Sequence, residues 1–389
     1  MKSWQMLGFA AVMLTVWGLF HAYIGFRLVV PARLSGVPAF VAWSALGFTW
    51  LVFPAVFILR WYRPDFAGIH SLELAAYWVF GFISIIFPLL VFRDLAWLAV
   101  YLGGFLPREP VRAGDWLGIS GTAVVILTFL MLGGGWLEYR RGPLLERVDL
   151  RVSGLPRALE GYKIVQLTDI HVGVTARKDR ISRIVSRVNA LKPDIIAVTG
   201  DMADGLVRDF GADAAPLAGM NPPDGKLFVT GNHEYFYDYR GWMKELPRLG
   251  FRVLINSSFL VRKGKAVLAF GGITDSQTAA RFTPGQAANP GAAARGIPKG
   301  AVKILLSHQP ASAPMGALAG FDFQLSGHTH GGQYFPWSMV ILRLPFARPG
   351  FHQVGKMALY VSRGTGAWGP PIRLFVPGEI TLFTLRRKD

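Results

Sequence analysis

Between residues 4 and 137 charges are sparse, and four apolar stretches each reach the ~20 residues needed to cross bilayer hydrocarbon. They lie at residues 4–26, 37–59, 72–92 and 116–137, and the third can run on to residue 102 because only Arg93 and Asp94 interrupt it. In hydrocarbon every backbone polar group must find its partner within the segment, which leaves helices as the form such stretches take. Pro54, Pro88 and the glycines within them are compatible with membrane helices. Trp4, Trp50, Trp61, Trp97, Trp116 and Trp136 sit near stretch ends, as interfacial aromatics do. A signal peptide would account for the first stretch alone, but three more follow it. The expectation is a multi-pass four-helix transmembrane region over residues 1–142 and a second domain over residues 143–389.

The hydrophobic share of 52% lies above the ~45–50% of soluble domains, and the excess is confined to that first region. Charge is distributed the other way. Lys and Arg number 10 against 6 acidic residues in 1–142 and 31 against 18 in 143–389, a net +13 downstream. That balance suits attraction to anionic lipid headgroups, and it equally suits plain solubility. No basic run interleaved with aromatics and no helix-turn-helix or finger spacing is present, so nucleic acid is not an expected partner. The absence of cysteine removes disulfides, Cys-ligated zinc and thiol nucleophiles. Four spans put both termini on one side, with Lys2, Arg60, Arg63, Arg140 and Arg141 facing Arg27, Arg33, Arg108 and Arg112 on the other. Positive-inside counting therefore favours a cytoplasmic second domain in the cell membrane.

The second domain begins at the turn-prone Arg140-Arg141-Gly142-Pro143. Short apolar runs at 162–167, 194–199 and 226–230 read as buried strands. Residues 178–191 place Ile181, Ile184, Val185 and Val188 at helical spacing. Helical spacing returns at 239–249, followed by strands at 252–255, 259–262, 266–270, 302–306, 321–325, 357–362 and 379–385. Alternating strands and helices followed by consecutive strands predict a layered α/β domain with a mixed sheet core. The Ala-, Gly- and Pro-rich residues 283–300 lack periodicity and read as a mobile loop. Residues 334–351 crowd apolar side chains together, either as core or as a lip touching lipid.

Several of these runs end in residues that bind metals. Asp169-Ile-His171, Gly200-Asp201-Met-Ala-Asp204, Gly231-Asn232-His233-Glu234, Ser307-His308 and Gly327-His328-Thr329-His330 each follow a strand. Donors fixed at rigid strand ends need little ordering when a metal binds. Oxygen and imidazole donors without sulfur suit Mn, Fe or Zn. Two ions about 3.5–4 Å apart need a bridging ligand, a position that suits a carboxylate, and paired ions are a standard device for cleaving phosphate esters. A lone His at a strand end is ordinarily a loop residue, but these motifs in this order reverse that reading. His21, His70 and His352 have no such company, and Asp204 and Ser307 read as supports for ligands.

The ordered set Asp-x-His, Gly-Asp-x-x-Asp, Gly-Asn-His-Glu, His and Gly-His-x-His resembles the calcineurin-like metallophosphoesterase family over residues 160–389. The ending from Tyr360 to Pro371 resembles its membrane-associated bacterial branch. The resemblance implies an α/β-β/α metallophosphoesterase sandwich holding two divalent ions. One would take Asp169, His171, Asp201 and His330; the other would take Asp201, Asn232, His308 and His328, with Asp201 as the bridge. It also implies in-line hydrolysis at phosphorus, with the catalytic His233 facing the phosphate, either stabilising the transition state or protonating the leaving oxygen. Glu234 stands where the family often has Asp, which puts the orientation of His233 in question. Arg363, Arg177 and Tyr235 are candidate substrate contacts. The expected activity is that of a membrane-bound phosphoesterase or pyrophosphatase acting on a phosphorylated amphiphile, because four spans exceed what tethering needs. A tethered phosphodiesterase on a soluble nucleotide and a ligand-binding sensor are the alternatives.

Overall fold

The computed structural model describes residues 3–62, 66, 68–103 and 110–388. Lys2, Arg63 and Arg108 of the orientation count lie outside them. The chain divides into two compact units, one of residues Met1–Leu137 with Gly369–Ile372 and the other of Glu138–Trp368 with Arg373–Asp389.

The first unit is helical: α1 (Ser3–Ile24), continued by a π-helical turn at Gly25–Val29, α2 (Gly36–Tyr62), α3 (Ile69–Leu102) and α4 (Pro110–Arg141). Four segments within these are long and apolar enough to cross a membrane: Ala11–Val29, Gly36–Val56, Ile69–Leu102 and Trp116–Arg141. The third is unbroken through Arg93-Asp94, and the reason is local charge compensation. Asp94 accepts hydrogen bonds from Tyr23 Oη, from Arg27 Nε at 2.6 Å and from Arg93 Nη2 at 2.6 Å. The unit's core gathers Trp17, Ile83, Ile86 and Leu90. Phe48, Ile119, Phe129 and Leu130 point outward, an inside-out distribution that suits an apolar solvent.

The second unit holds twelve strands among the described residues, in two six-stranded sheets. The strands are β1 (Leu144–Ser153), β2 (Lys163–Leu167), β3 (Ile195–Thr199), β4 (Lys226–Val229), β5 (Phe251–Val253), β6 (Ser257–Lys263), β7 (Ala266–Gly272), β8 (Val302–Leu306), β9 (Phe323–Ser326), β10 (Gly350–Val354), β11 (Met357–Val361) and β12 (Glu379–Lys388). The first sheet runs β1-β12-β2-β3-β4-β5, with β2 to β5 parallel. The second runs β10-β11-β9-β8-β7-β6, with β7, β8, β9 and β11 parallel.

Strand residues alternate between faces, and here both faces are covered. Ile164, Ile195, Leu227 and Val229 meet Leu268, Phe270, Ile304 and Leu306 between the sheets. The alternate residues Val165, Ile196, Val198 and Phe228 pack under α5 (Lys178–Ala190), α6 (Val207–Ala214) and α8 (Tyr239–Arg248), which follows the one-turn α7 (Asn232–Phe236). Across the second sheet Leu305, Leu359 and Val361 lie against Ala293, Ala313 and Phe321. Two-sided burial explains the near-continuous apolar runs of the parallel strands. The result is the layered α/β-β/α sandwich expected from the motif order.

Three details differ from the sequence reading. β1 and β10 are edge strands not anticipated, and β1 pairs in parallel with β12 along its whole length. Residues 283–300 are not a structureless loop: they bond to neighbouring segments and carry a short helix at Pro290–Ala294. Thr274 Oγ1 donates to Gln286 O at 2.8 Å, Asn256 Nδ2 donates to Ala287 O at 2.8 Å, and Ala293 is fully buried. Small residues there let the chain lie close to the sheet, which is why no periodicity marks it. Residues 334–351 divide their apolar side chains, with Tyr334 and Ala347 inside and Met339, Val340, Leu344 and Phe351 exposed.

Candidate metal centre

The carboxyl ends of β2, β3, β4, β8 and β9 point to one edge of the sandwich, and a polar motif leaves each. Open α/β sheets bind ligands at that edge. The chain must turn sharply there, and it does so on polar residues. Asp169, His171, Asp201, His328 and His330 all have φ between 51° and 69°. Asp, Asn and His tolerate that left-handed region best among residues with a side chain. Strain of this kind concentrates at functional sites, at roughly 1–3 kcal/mol each. The loops also interlock: at Gly200, φ is 91° and a Cβ would meet Gly231 N at 2.6 Å and His308 Nδ1 at 2.8 Å.

The motifs converge on a buried cluster with three donor groups: Asp169, His171 and His330; His171, Asp201 and His233; Asp201, His308 and His328. Asp201 belongs to two of them. His171 Nε2 lies 3.0 Å from His330 Nε2, and His330 Nε2 lies 3.3 Å from Asp169 Oδ1. On the other side His308 Nε2 lies 3.1 Å from Asp201 Oδ2, 3.1 Å from His328 Nδ1 and 3.2 Å from Asn232 Oδ1. Separations near 3 Å match neighbouring donors each ~2.0–2.2 Å from one ion, so the cluster could hold a cation. Nitrogen and oxygen donors without sulfur fit a divalent metal.

Hydrogen bonds behind the donors fix which ring nitrogen faces inward. Asp204 Oδ1 accepts from both His171 Nδ1 and His233 Nδ1, each at 2.7 Å. His308 Nδ1 donates to Thr199 O at 2.9 Å. Glu234 does not orient His233. Its carboxylate accepts from Gly231 N and Met202 N at 2.7 Å and from Asp201 N at 3.2 Å, stapling two motif loops together. The longer side chain thus spans the loops, and Asp204 holds the imidazole. Ser307 is not a support for any candidate ligand, because its hydroxyl bonds Ser312 at 2.7 Å.

Electrostatics follow from dense packing of opposite charges. Burial opposes ionisation of Asp169, but the imidazoles of His330 and His308 hold it below the usual carboxylate range. Burial likewise opposes charge on His308, yet the Asp201 carboxylate pushes it up to about 10. His233 is pushed up to about 9 by Asp201 and Asp204 against the same burial. For His330 burial wins over Asp169, leaving it at about 4.

The three expected substrate contacts are engaged elsewhere. Arg363 binds the carboxylates of Glu146 and Glu379. Arg177 pairs with Asp213 at 3.0 Å and lies over Phe210. Tyr235 is buried, with its hydroxyl 3.1 Å from Thr230 Oγ1. Two residues at the site escaped the sequence reading. Arg373, almost fully buried, donates to Gly366 O, to Arg363 O at 2.8 Å and to His330 Nδ1 at 3.1 Å. Nothing in the local sequence marks it. Asp275 follows β7 at the same sheet edge, where its backbone N–H donates to Thr230 Oγ1 at 3.2 Å. The end of an apolar strand was its available signal.

A buried Asp/His cluster at the strand ends of such a sandwich defines a metal-dependent phosphoester hydrolase. Residues 162–332 match the family described as calcineurin-like phosphoesterase. A zebrafish (Danio rerio) protein named transmembrane protein with metallophosphoesterase domain is 32% identical over 327 residues, covering 82% of this chain and 72% of that protein. An uncharacterized metallophosphoesterase of Aquifex aeolicus is 34% identical over 252 residues, covering 63% of this chain and 92% of that one. Among solved structures, a 5′-nucleotidase precursor from Thermus thermophilus aligns at 19% identity and a TM-score of 0.39, covering 58% of this chain and 55% of its own. The chain belongs to the calcineurin-like metallophosphoesterase family.

Proposed function

We propose that this protein is a membrane-bound hydrolase with two divalent ions that cleaves a phosphate ester or anhydride of a lipid-linked, amphiphilic substrate. The observation that carries the paired-metal reading is the position of Asp201, whose Oδ2 lies 3.1 Å from His308 Nε2 of one candidate ligand set and 4.0 Å from His171 Nε2 of the other. Asp169, His171, Asp201 and His330 would hold one ion, and Asp201, Asn232, His308 and His328 the other. Divalent ions there supply Lewis acidity, polarising phosphoryl oxygens and lowering the pKa of water. Manganese, iron and zinc all suit these donors.

His233 is the acid in this reading. Its Nδ1–H is given to Asp204, so Nε2 is the end left to face substrate, 3.8 Å from Asp201 Oδ2. The neighbouring Asp201 and Asp204 carboxylates favour its protonated form against burial, the form that can give a proton to a leaving oxygen. Glu234 keeps Asp201 in place by binding its backbone N–H.

Four apolar helices in the same chain and a net +13 over residues 143–389 support an amphiphile at a membrane surface. The test is hydrolysis by the full chain in detergent with manganese, comparing phosphate and pyrophosphate lipids with soluble nucleotides. Lipids should be preferred, and His233→Asn should lower turnover by about 10²–10⁴ while metal binding persists. Preferential turnover of nucleotides would replace the lipid reading, and no turnover of either would leave a binding domain.

A further inference from the structure

The last apolar segment, Trp116–Arg141, stays helical to its final residue. Groups held against residues 138–142 therefore stand where the chain leaves hydrocarbon. Two elements are held there. Tyr139 O accepts from Arg180 Nη1 at 2.7 Å, and the Arg180 guanidinium lies 3.6 Å from the centre of the Tyr139 ring. Tyr139 Oη donates to Thr175 O at 2.9 Å. These contacts fix the start of α5 against the last turn of α4. One position earlier, Glu138 accepts from the backbone N–H of Phe375 at 3.1 Å.

The face that α5 brings to the exit is basic. Arg180, Arg183 and Arg187 recur at i, i+3 and i+7, a spacing that lines one side of a helix. Arg180 is buried under Tyr139, whereas Arg183 and Arg187 are exposed. Arg187 reaches the exit itself, because a Cβ on Gly142 would lie 3.2 Å from its Nη1. Arg141, also exposed, precedes that glycine. Arg177, just before α5, pairs with Asp213 at 3.0 Å. Among the described residues, Arg141, Arg183 and Arg187 form no ion pair with a carboxylate. Like charges four residues apart destabilise a helix, and an anion shared between them relieves that repulsion.

Phe375 adds an apolar member. Its side chain is 78% exposed, on a backbone with φ of 62° that a bulky residue seldom adopts. The bond to Glu138 keeps it beside the last turn of the span instead of in the core of the sandwich. A free anion would account for the arginines and leave the phenylalanine without a role. A bilayer surface accounts for both, since cations meet acidic headgroups while an aromatic ring enters the acyl boundary.

We infer that Arg141, Arg183, Arg187 and Phe375 form a docking surface for anionic phospholipid headgroups at the point where α4 emerges. The inference needs the chain to be in a membrane and is independent of the hydrolysis proposed above.

The test titrates phosphatidylglycerol or phosphatidylcholine into the detergent-solubilised full chain and reads bound lipid by native mass spectrometry. The Arg183→Gln/Arg187→Gln double variant should bind phosphatidylglycerol about 25-fold more weakly than the parent, about fivefold for each arginine. Phosphatidylcholine binding should not change, and Lys299→Gln, exposed elsewhere, should alter neither. If the double variant fails to fold, Arg183→Gln alone is read in the same way against a fivefold loss. The chain has no cysteine, so Phe375→Cys carries a single nitroxide. In nanodiscs containing phosphatidylglycerol, that nitroxide should be relaxed more by oxygen than by a water-soluble nickel chelate. A phosphatidylglycerol affinity that survives loss of the arginines overturns the surface. So does inorganic phosphate that displaces the lipid at equal concentration, which would mark a simple anion site, or a nitroxide relaxed mainly by nickel.

Discussion

Asp204 carries more of the centre than its place at the end of a motif suggests. One of its oxygens accepts from the imidazoles of both His171 and His233. Partners behind metal ligands typically contribute 10–100-fold to metal affinity. Asp204→Asn should therefore weaken manganese binding by that factor in calorimetry, while Ser307→Ala should change it less than twofold. pH supplies a second expectation at this scale. Without metal, Asp201 keeps His308 protonated to about pH 10, and ligation requires the neutral ring. The charged form is thus favoured below that pH and competes with the ion. Apparent affinity should rise about tenfold per pH unit as pH climbs from 7 toward 10 and then level off, with close to one proton released per ion bound. A pH-independent affinity in calorimetry would refute this. The candidate ligands were legible because donors at strand ends form a pattern. The anchors of Arg363 and Tyr235 were not, since pairing with Glu146 or Thr230 is a tertiary fact that spacing along the chain does not encode.

At the scale of elements, the strand tips of β3, β4 and β8 fit together as one assembly through Gly200. An added methyl there would intrude on the Gly231 backbone and the His308 ring, at a φ that disfavours any side chain. Gly200→Ala should lower stability by about 2–4 kcal/mol, seen as a lower unfolding temperature, and should reduce metal occupancy as well. An unaltered unfolding temperature would mean that the tips are not interlocked. Strands buried on both faces, such as β3 and β8, announced themselves as apolar runs. β1 did not, because Glu146, Arg147, Asp149 and Arg151 on a solvated edge resemble loop composition. Residues 283–300 were misread for a related reason, as alanine and glycine pack closely without any apolar period.

Across the whole molecule, the division into an apolar helical unit and a charged sandwich follows from the break in hydropathy near Gly142. The inner wiring of the helical unit was less visible. Asp94 gathers Tyr23, Arg27 and Arg93 from two helical segments distant in sequence. Ionisable groups in such a unit are costly when left unpaired. Asp94→Asn would leave two guanidinium groups uncompensated and should destabilise the helical unit by about 3–5 kcal/mol, read as a lowered melting temperature of the full chain in detergent. An unchanged melting temperature would show that the charges are solvated separately.

The left-handed turns at Asp169, His171, Asp201, His328 and His330 narrow the alphabet open to those five positions. Asparagine in place of an aspartate keeps the backbone content and strips the charge from a donor, whereas a β-branched residue breaks the loop along with the site. A lineage drifting away from hydrolysis can therefore silence this centre one residue at a time and keep its sandwich intact. Retuning the same centre with longer or branched donors would require the loops to be rebuilt first.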